Sequence, residues 1–242
     1  MKYGAAFFKL VLHFFLPRTC FACGCDLSWN AKEPLCAECL SRLDAPGPHI
    51  CKRCGAVLKY GGAHCFACRG SKERKYKCRV IRSAFKFNTS SRSLVHALKY
   101  FRADYLAKYM GAQMALRYKN YPELAEAEVV MPVPLFPKRN RTRGYNQSEL
   151  LAENFAPLVG LPLDSKSLVR IKNTISQTTL GRVGRLANMK GAFAYKNQEP
   201  IKGKTVLLID DVATTGATLE GCAEALKAAG AKKVMAYTFA RE

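Results

Sequence analysis

Acidic side chains are scarce in this chain: 18 Asp and Glu stand against 39 Lys and Arg over 242 residues, a formal net charge of +21. A field of that sign favours polyanions, so nucleic acid, pyrophosphate and acidic lipid are the partner classes it admits. The bland alternative is charge that only solubilises. Long apolar runs are also missing. The nearest approach, Tyr3 to Leu16, is interrupted by Lys9 and His13, four residues apart on one helical face, and is too short to cross a bilayer. No small-residue cleavage site follows it, as a secretory signal would require. The expectation for residues 1–17 is an amphipathic helix packed on the rest of the protein, with association at the cytoplasmic face of a membrane as the alternative and no transmembrane span. Residues 18–70 lack regular hydrophobic periodicity and are rich in Cys, Gly and Pro. Such a segment buries little core and needs another source of stability.

Cysteine supplies that source. Eight of the 11 cysteines form four CxxC pairs: Cys20/Cys23, Cys36/Cys39, Cys51/Cys54 and Cys65/Cys68. Two thiolates separated by two residues reach one tetrahedral ion, and repeated pairs of this kind are zinc knuckles rather than a disulfide framework. Gly24 and Gly55 each follow the second cysteine of a pair, as tight zinc turns often need. Two structural zinc ions fit eight thiolates. The simplest assignment is sequential, Cys20/Cys23/Cys36/Cys39 and then Cys51/Cys54/Cys65/Cys68; pairing the first with the third and the second with the fourth is the alternative. Each four-thiolate site carries about −2, which lowers the chain's charge to about +17. Reduced thiolates predict a cytoplasmic protein. Thioredoxin-like redox chemistry would need one CxxC on a βαβ unit instead of four in a loop-rich stretch. Cys25, Cys78 and Cys222 stand outside the pairs and read as free or buried thiols. Regulation through zinc-cysteine oxidation is a weaker reading, because ligation suppresses the reactivity it needs.

The segment Val206 to Thr218, VLLIDDVATTGAT, carries the most chemistry. Val206-Leu207-Leu208-Ile209 fits a parallel strand buried on both faces, expected to end at Asp210 and Asp211. A loop of small and hydroxyl residues follows, then a helix from about Leu219 to Ala229. Strand, small-residue turn and helix N-terminus together form an anion site, because backbone N–H groups and the helix dipole face outward there. Thr214, Thr215 and Thr218 add hydroxyl donors, and Gly216 permits close backbone approach. Two carboxylates would repel a bare phosphate. They suit a phosphorylated ribose, with hydroxyls or an associated divalent metal on Asp210 and Asp211. The arrangement closely resembles the signature of type I phosphoribosyltransferases, which bind phosphoribosyl pyrophosphate (PRPP).

Along the chain, residues 71–78 read as an exposed linker opening a domain at 79–242. Val80 to Phe87 alternates like a strand. Ser90, Ser91 or Ser93 is expected to cap one helix running through Leu94, Leu98, Phe101, Leu106, Tyr109, Met110 and Met114. His96 and Lys99 lie on it, and the lone His reads as structural. Val129 to Pro134 reads as a second buried strand. The cationic stretch Lys138 to Gln147 is expected as a loop at that strand's carboxyl end, where open α/β sheets place ligands, followed by a helix from Gln147 to about Val159. Its arginine forks suit phosphate. Leu168 to Ile171 reads as a short strand, and Lys172 to Lys190 as a long loop of the functional-lid or disordered kind. Gly191-Ala192-Phe193 is expected to return the chain to the sheet, and Lys233 to Phe239 to supply the last strand. The predicted fold class is α/β, a mostly parallel sheet with helices on both faces, preceded by a small zinc-ribbon domain. Residues 1–78 carry 13 basic and 5 acidic groups, residues 79–200 carry 20 and 8, and residues 201–242 carry 6 and 5, so the positive excess lies outside the phosphate-loop segment.

The ordered set is more specific than any single motif. The cysteine-rich N-terminus, Met131-Pro132-Val133-Pro134, Arg143-Gly144-Tyr145-Asn146-Gln147, Gln177 with Arg185, Asn188 to Phe193, and the Asp-Asp-Val-Ala-Thr-Thr-Gly loop together resemble the ComF family of competence proteins across essentially the whole chain. The resemblance implies a double zinc ribbon at 18–70 joined to a type I phosphoribosyltransferase-like domain. It implies that Asp210 and Asp211 are the ribose- and metal-associated pair, and that Ala213, Thr214, Thr215, Gly216, Ala217 and Thr218 cradle the 5′-phosphate. Arg141 and Arg143 become pyrophosphate or DNA contacts. The implied ligands are PRPP with Mg²⁺, or a related ribose phosphate, and single-stranded DNA. The implied partners are a competence helicase or other DNA-uptake proteins, and the implied role is DNA uptake in natural transformation. The classical transferases complete their base pocket with a hood. None is evident after the final strand, so base recognition is expected either from the zinc module or not at all. An active Mg²⁺-dependent phosphoribosyltransferase of nucleotide or base metabolism is the alternative function. Neither an acceptor nor a general base can be named from the residues.

Overall fold

The computed structural model describes residues 17–69, 76–174, 184, 188–197 and 201–242. The expected helix at 1–17, residues 71–75 of the expected linker, and Gln177 and Arg185 within the expected loop lie outside these, save for Pro17.

Four strands form one all-parallel sheet in the order β1-β6-β5-β2: β1 (Cys78–Lys86), β2 (Val129–Pro132), β5 (Thr205–Ala213) and β6 (Lys233–Arg241). The period of two distributes β5 between two cores. Leu207 and Ile209 join Leu94, Leu98, Met110, Met114, Leu151 and Phe155 on one face. Val206 and Leu208 join Leu219, Cys222, Ala223 and Leu226 on the other. The first face is covered by α3 (Thr89–Tyr100), α4 (Leu106–Tyr118) and α6 (Gln147–Phe155), the second by α7 (Ala217–Ala228). A strand apolar at every position is what burial on both faces demands.

Several elements differ from expectation. The single helix predicted across Leu94 to Met114 is two, α3 and α4, separated by Phe101 to Tyr105. At ~100° per residue an unbroken helix would place Met114 roughly 200° around the axis from Leu94, and both could not face the sheet. The break reorients the second half, at a left-handed Arg102 (φ 52°), and both residues become fully buried. The cap of α3 is Asn88, ahead of the predicted serines; its side chain accepts from Ser91 N while Ser91 Oγ accepts from Asn88 N at 2.9 Å. Gly191 to Phe193 leads away from the main sheet: β4 (Phe193–Tyr195) pairs antiparallel with β3 (Leu168–Arg170) in a separate ribbon. The last residues of the predicted linker are held, because Lys77 N and Cys78 N both donate to Glu220 and Cys78 is fully buried in β1.

The cysteine-rich segment contains two short helices, α1 (Ala37–Ser41) and α2 (Phe66–Arg69). Each begins directly after the first cysteine of a CxxC pair and contains the second. Leu27, Leu35 and Leu43 with Cys20 and Cys39 join the helical core, so the first knuckle packs on the α3/α4 face.

Candidate functional site

Parallel strands place their carboxyl ends together, and there the chain leaves β5 for α7. The structure carries β5 on to Ala213, so Asp210 and Asp211 lie inside the strand rather than beyond its end. The connecting turn is Thr214-Thr215-Gly216, and Ala217 and Thr218 already belong to α7. Gly216, left-handed at φ 77°, caps the helix without a side chain. Thr215 Oγ1 accepts from Ala217 N at 3.3 Å. Thr214, Gly216, Ala217 and Thr218 line a cavity of about 480 Å³, so the positive end of the α7 dipole faces it.

The same cavity is lined by Asp210 and Asp211 and by four cations: Lys99, Arg139, Arg143 and Arg170. Both carboxylates are buried, at 7% and 3% exposure. Ser148 Oγ donates to Asp210 Oδ1 at 2.8 Å. Lys99 Nζ pairs with Asp211 Oδ2. Burial, and then the neighbouring Asp211 charge, pushes the Asp210 carboxyl up to about 7, against the opposing pull of the Ser148 hydrogen bond and Lys99. Lys99 is held above its ordinary value: burial alone would lower it, and the Asp211 carboxylate outweighs that.

The Arg143-Gly-Tyr-Asn-Gln-Ser148 stretch builds one wall. The predicted cationic loop is a short helix, α5 (Pro137–Arg143), started by Pro137 and stopped by left-handed Gly144. Tyr145 OH donates to Leu98 O at 2.6 Å, and Asn146 accepts from Ser148 N at 3.1 Å to cap α6 while donating to Val133 O. Arg143 donates to the Gln147 side chain. Helical spacing therefore separates the expected arginine contacts: Arg143 lines the cavity with Arg139, whereas Arg141 is exposed and lines neither this cavity nor its neighbour. That neighbour, about 490 Å³, is lined by Lys99, Arg102, Lys138, Arg139 and Arg143 with Tyr100, Thr142 and Asn173, and by no acidic residue. Asn188 to Phe193 supports α7 from outside the cavity. A Cβ on Gly221 would meet Met189 O at 2.9 Å, so this contact requires glycine.

Arg139 belongs to the cationic stretch Lys138 to Gln147 whose arginines suit phosphate, although sequence singles out Arg141 and Arg143 instead. Ser148, Lys99 and Arg170 are not legible as site residues from sequence: Ser148 directly follows the Arg-Gly-Tyr-Asn-Gln motif, and the other two carry no local signal.

The eight paired cysteines form two clusters, Cys20/Cys23/Cys36/Cys39 and Cys51/Cys54/Cys65/Cys68, with all ligand atoms of a cluster within 4.8 Å of one another. The sequential pairing holds. Zn–S bonds of about 2.3 Å at tetrahedral angles give S···S near 3.8 Å. Cys23–Cys36 and Cys54–Cys65 are each 3.7 Å apart, so both clusters fit a zinc ion.

The second knuckle reaches the turn between β5 and α7. Arg241, 9% exposed at the end of β6, donates from Nε to Cys54 O at 3.0 Å and from Nη1 to Ala213 O at 2.7 Å and Thr214 O. Arg53 pairs with Glu220 Oε2 at 3.3 Å, lies 3.7 Å from Cys68 Sγ and stacks on Tyr76. Glu220 lies in the first turn of α7. Ile81 of β1 sits between the two turns: its N–H donates to Arg53 O at 2.8 Å, and a Cβ on Gly55 or Gly216 would lie 2.7 Å from Ile81 O or 3.0 Å from Ile81 Cδ1.

A parallel sheet with an Asp-Asp strand end, a Thr/Gly turn and a helix N-terminus, preceded by two Cys₄ knuckles, defines a type I phosphoribosyltransferase fold joined to a double zinc ribbon. Residues 149–242 match the phosphoribosyl transferase domain and residues 11–69 the double zinc ribbon domain. The chain is 30% identical over 217 residues to Competence protein F of Haemophilus influenzae, covering 87% of this chain and 92% of that protein. Identity to DNA utilization protein YhgH of Salmonella typhimurium is 27% over 232 residues, 93% and 98% of the two chains. Identity to Competence protein ComFC of Bacillus subtilis is 29% over 238 residues, 89% and 90%. The chain belongs to the ComF family. No helix among the described residues is long and apolar enough to cross a membrane.

Proposed function

We propose that this protein binds a ribose 5-phosphate ligand of the PRPP type in the cavity above β5 and single-stranded DNA along the adjoining basic cavity, and that it serves DNA uptake in natural transformation. One observation carries the first part: Thr/Gly turn, α7 N-terminus, acidic pair and four cations line a single cavity. The 5′-phosphate lies against Thr214 to Thr218, the ribose hydroxyls against Asp210 and Asp211, and the pyrophosphate, with Mg²⁺, toward Arg139 and Arg143. Titration calorimetry with PRPP and Mg²⁺ tests it. Wild type binds and the Asp210→Asn/Asp211→Asn variant binds far more weakly; equal affinity in both undoes the assignment.

The DNA reading is supported by five cations and exposed Tyr100 around the second cavity, a composition suited to a phosphate backbone with stacked bases. The names of the relatives, competence protein and DNA utilization protein, agree with it. It predicts oligonucleotide affinity that falls steeply with salt, and salt-independent binding counts against it. Two Cys₄ clusters suited to zinc favour a reducing compartment, so the protein acts in the cytoplasm, at its membrane face when engaged with a competence helicase or other uptake proteins. Active transfer is the second reading, favoured by the sharing of Lys99, Tyr100, Arg139 and Arg143 between the two cavities, which gives an acceptor a route to the ribose. Acceptor-dependent release of pyrophosphate from PRPP is its test.

A further inference from the structure

We infer that the second zinc knuckle is the brace of the phosphate loop, and that Arg241 is the positioning residue through which it acts. Thr214 lies in the turn between the last residue of β5, Ala213, and the first carbonyl that accepts within α7, Gly216 O. Here Thr214 O accepts from the Arg241 guanidinium, as does Ala213 O beside its backbone bond from Glu242 N at 3.1 Å, and Nε of the same guanidinium donates to the carbonyl of Cys54, a predicted zinc ligand. A buried, charge-assisted fork has fixed geometry, so the zinc turn and the loop hold each other's register. The second tie is independent of the first. Arg53, inside the Cys51-to-Cys54 turn, pairs with Glu220 of α7, and Glu220 accepts from the backbone of Lys77 and Cys78 where β1 begins. Gly55 closes on the Ile81 carbonyl, with no room for a Cβ, and Gly216 on the tip of the Ile81 side chain. Zinc at this knuckle therefore sets the shape of the anion site, although it touches no ligand, and loss of that zinc releases the loop. Among the described residues the first knuckle's hydrogen bonds to the other domain run elsewhere: Lys86 N at the end of β1 donates to Asp44 O at 2.8 Å, and the Asn88 side chain donates to Arg42 O.

Hydrogen exchange of the backbone amides of residues 213–218, measured on the full chain with zinc content determined in parallel, tests the brace without any ligand. Cys65→Ser, which opens the second cluster, and Arg241→Gln, which keeps both clusters, each speed exchange there by about tenfold. Cys36→Ser in the first cluster does not, and Arg241→Lys restores part of the protection. Unchanged exchange in Arg241→Gln, an equal rise in Cys36→Ser, or a rise spread uniformly over β5 and β6 overturns the inference. A ligand arm rests on the ribose-phosphate reading: ribose 5-phosphate slows chelator removal of one zinc equivalent in wild type and has no such effect in Arg241→Gln, as reciprocal linkage requires. Ribose 5-phosphate that fails to bind wild type refutes that reading and leaves the exchange result to decide the brace.

Discussion

The two zinc knuckles have nearly the same ligand pattern and opposite attachments. The first is held by apolar packing: Cys20, Leu27, Leu35, Cys39 and Leu43 share a core with α3 and α4, and Phe21 stacks at 6.3 Å on Tyr105. The second contributes no apolar residue to either core and is held by polar ties, Arg82 to Lys52 O at 2.9 Å, Arg241 to Cys54 O and Arg53 to Glu220. Apolar burial is tolerant of small shifts, whereas charge-assisted hydrogen bonds fix direction. One knuckle is therefore attached for stability, and the other is placed where direction matters, at the turn that faces the cavity.

The equivalent glycines give the sharpest way to break this contrast. Gly24 and Gly55 both take left-handed φ, 75° and 70°, yet a Cβ meets nothing within 4 Å at Gly24 and Ile81 O at 2.7 Å at Gly55. Gly24→Ala is expected to cost about 1 kcal/mol, the backbone penalty alone. Gly55→Ala adds overpacking against a main-chain atom and is expected to cost about 3 kcal/mol in total. Thermal or denaturant unfolding of the two variants measures the difference, and equal costs would erase it. Phe21→Ala tests the apolar attachment. It should lower stability by about 1–2 kcal/mol while leaving PRPP affinity at the wild-type value in calorimetry, since among the described residues the first knuckle's hydrogen bonds to the other domain run to Lys86 and Asn88 and not to the cavity turn.

The smallest effect concerns the cavity itself. Asp210 is held up to about 7 by burial and Asp211, so near pH 6 it is largely protonated and a poorer acceptor for a ribose hydroxyl. Affinity for ribose 5-phosphate should rise by up to about tenfold from pH 6 to pH 8, after correction for the phosphate's own titration measured with Asp210→Asn. The stability linkage has the opposite slope. The folded carboxyl keeps its proton while the unfolded one has lost it, so between about pH 4 and 7 this group makes stability fall as pH rises. A flat affinity profile in wild type would mean that Asp210 does not face the ligand.

Much of this was legible because it is local. Four CxxC pairs specify thiolate clusters through spacing alone, and VLLIDD followed by ATTGAT specifies a buried strand, a turn and a helix start through period and residue size. Where expectation missed, the deciding fact was not local. The helix through Leu94 to Met114 carries unbroken apolar residues at near-helical spacing, and only the need of both ends to face one sheet divides it. Asn88 wins the cap because Ser91 can answer it reciprocally. Arg141 and Arg143 look alike in a loop, and a helix sends them in different directions.

The sequence by itself determined two thiolate clusters, a strand, turn and helix start with an acidic pair, a basic excess outside that stretch of chain, and membership in the ComF family. Those rest on residue types at short spacings, which the chain carries before it folds. Tertiary structure decided the pairing of the cysteines, the partners of the acidic residues and the wiring between modules. Lys99 reaches Asp211 from 112 positions earlier in the chain and Arg241 reaches Cys54 from 187 positions later. No spacing encodes such contacts. They exist because a parallel sheet gathers the carboxyl ends of distant strands at one edge, and there the second knuckle closes on the phosphate turn.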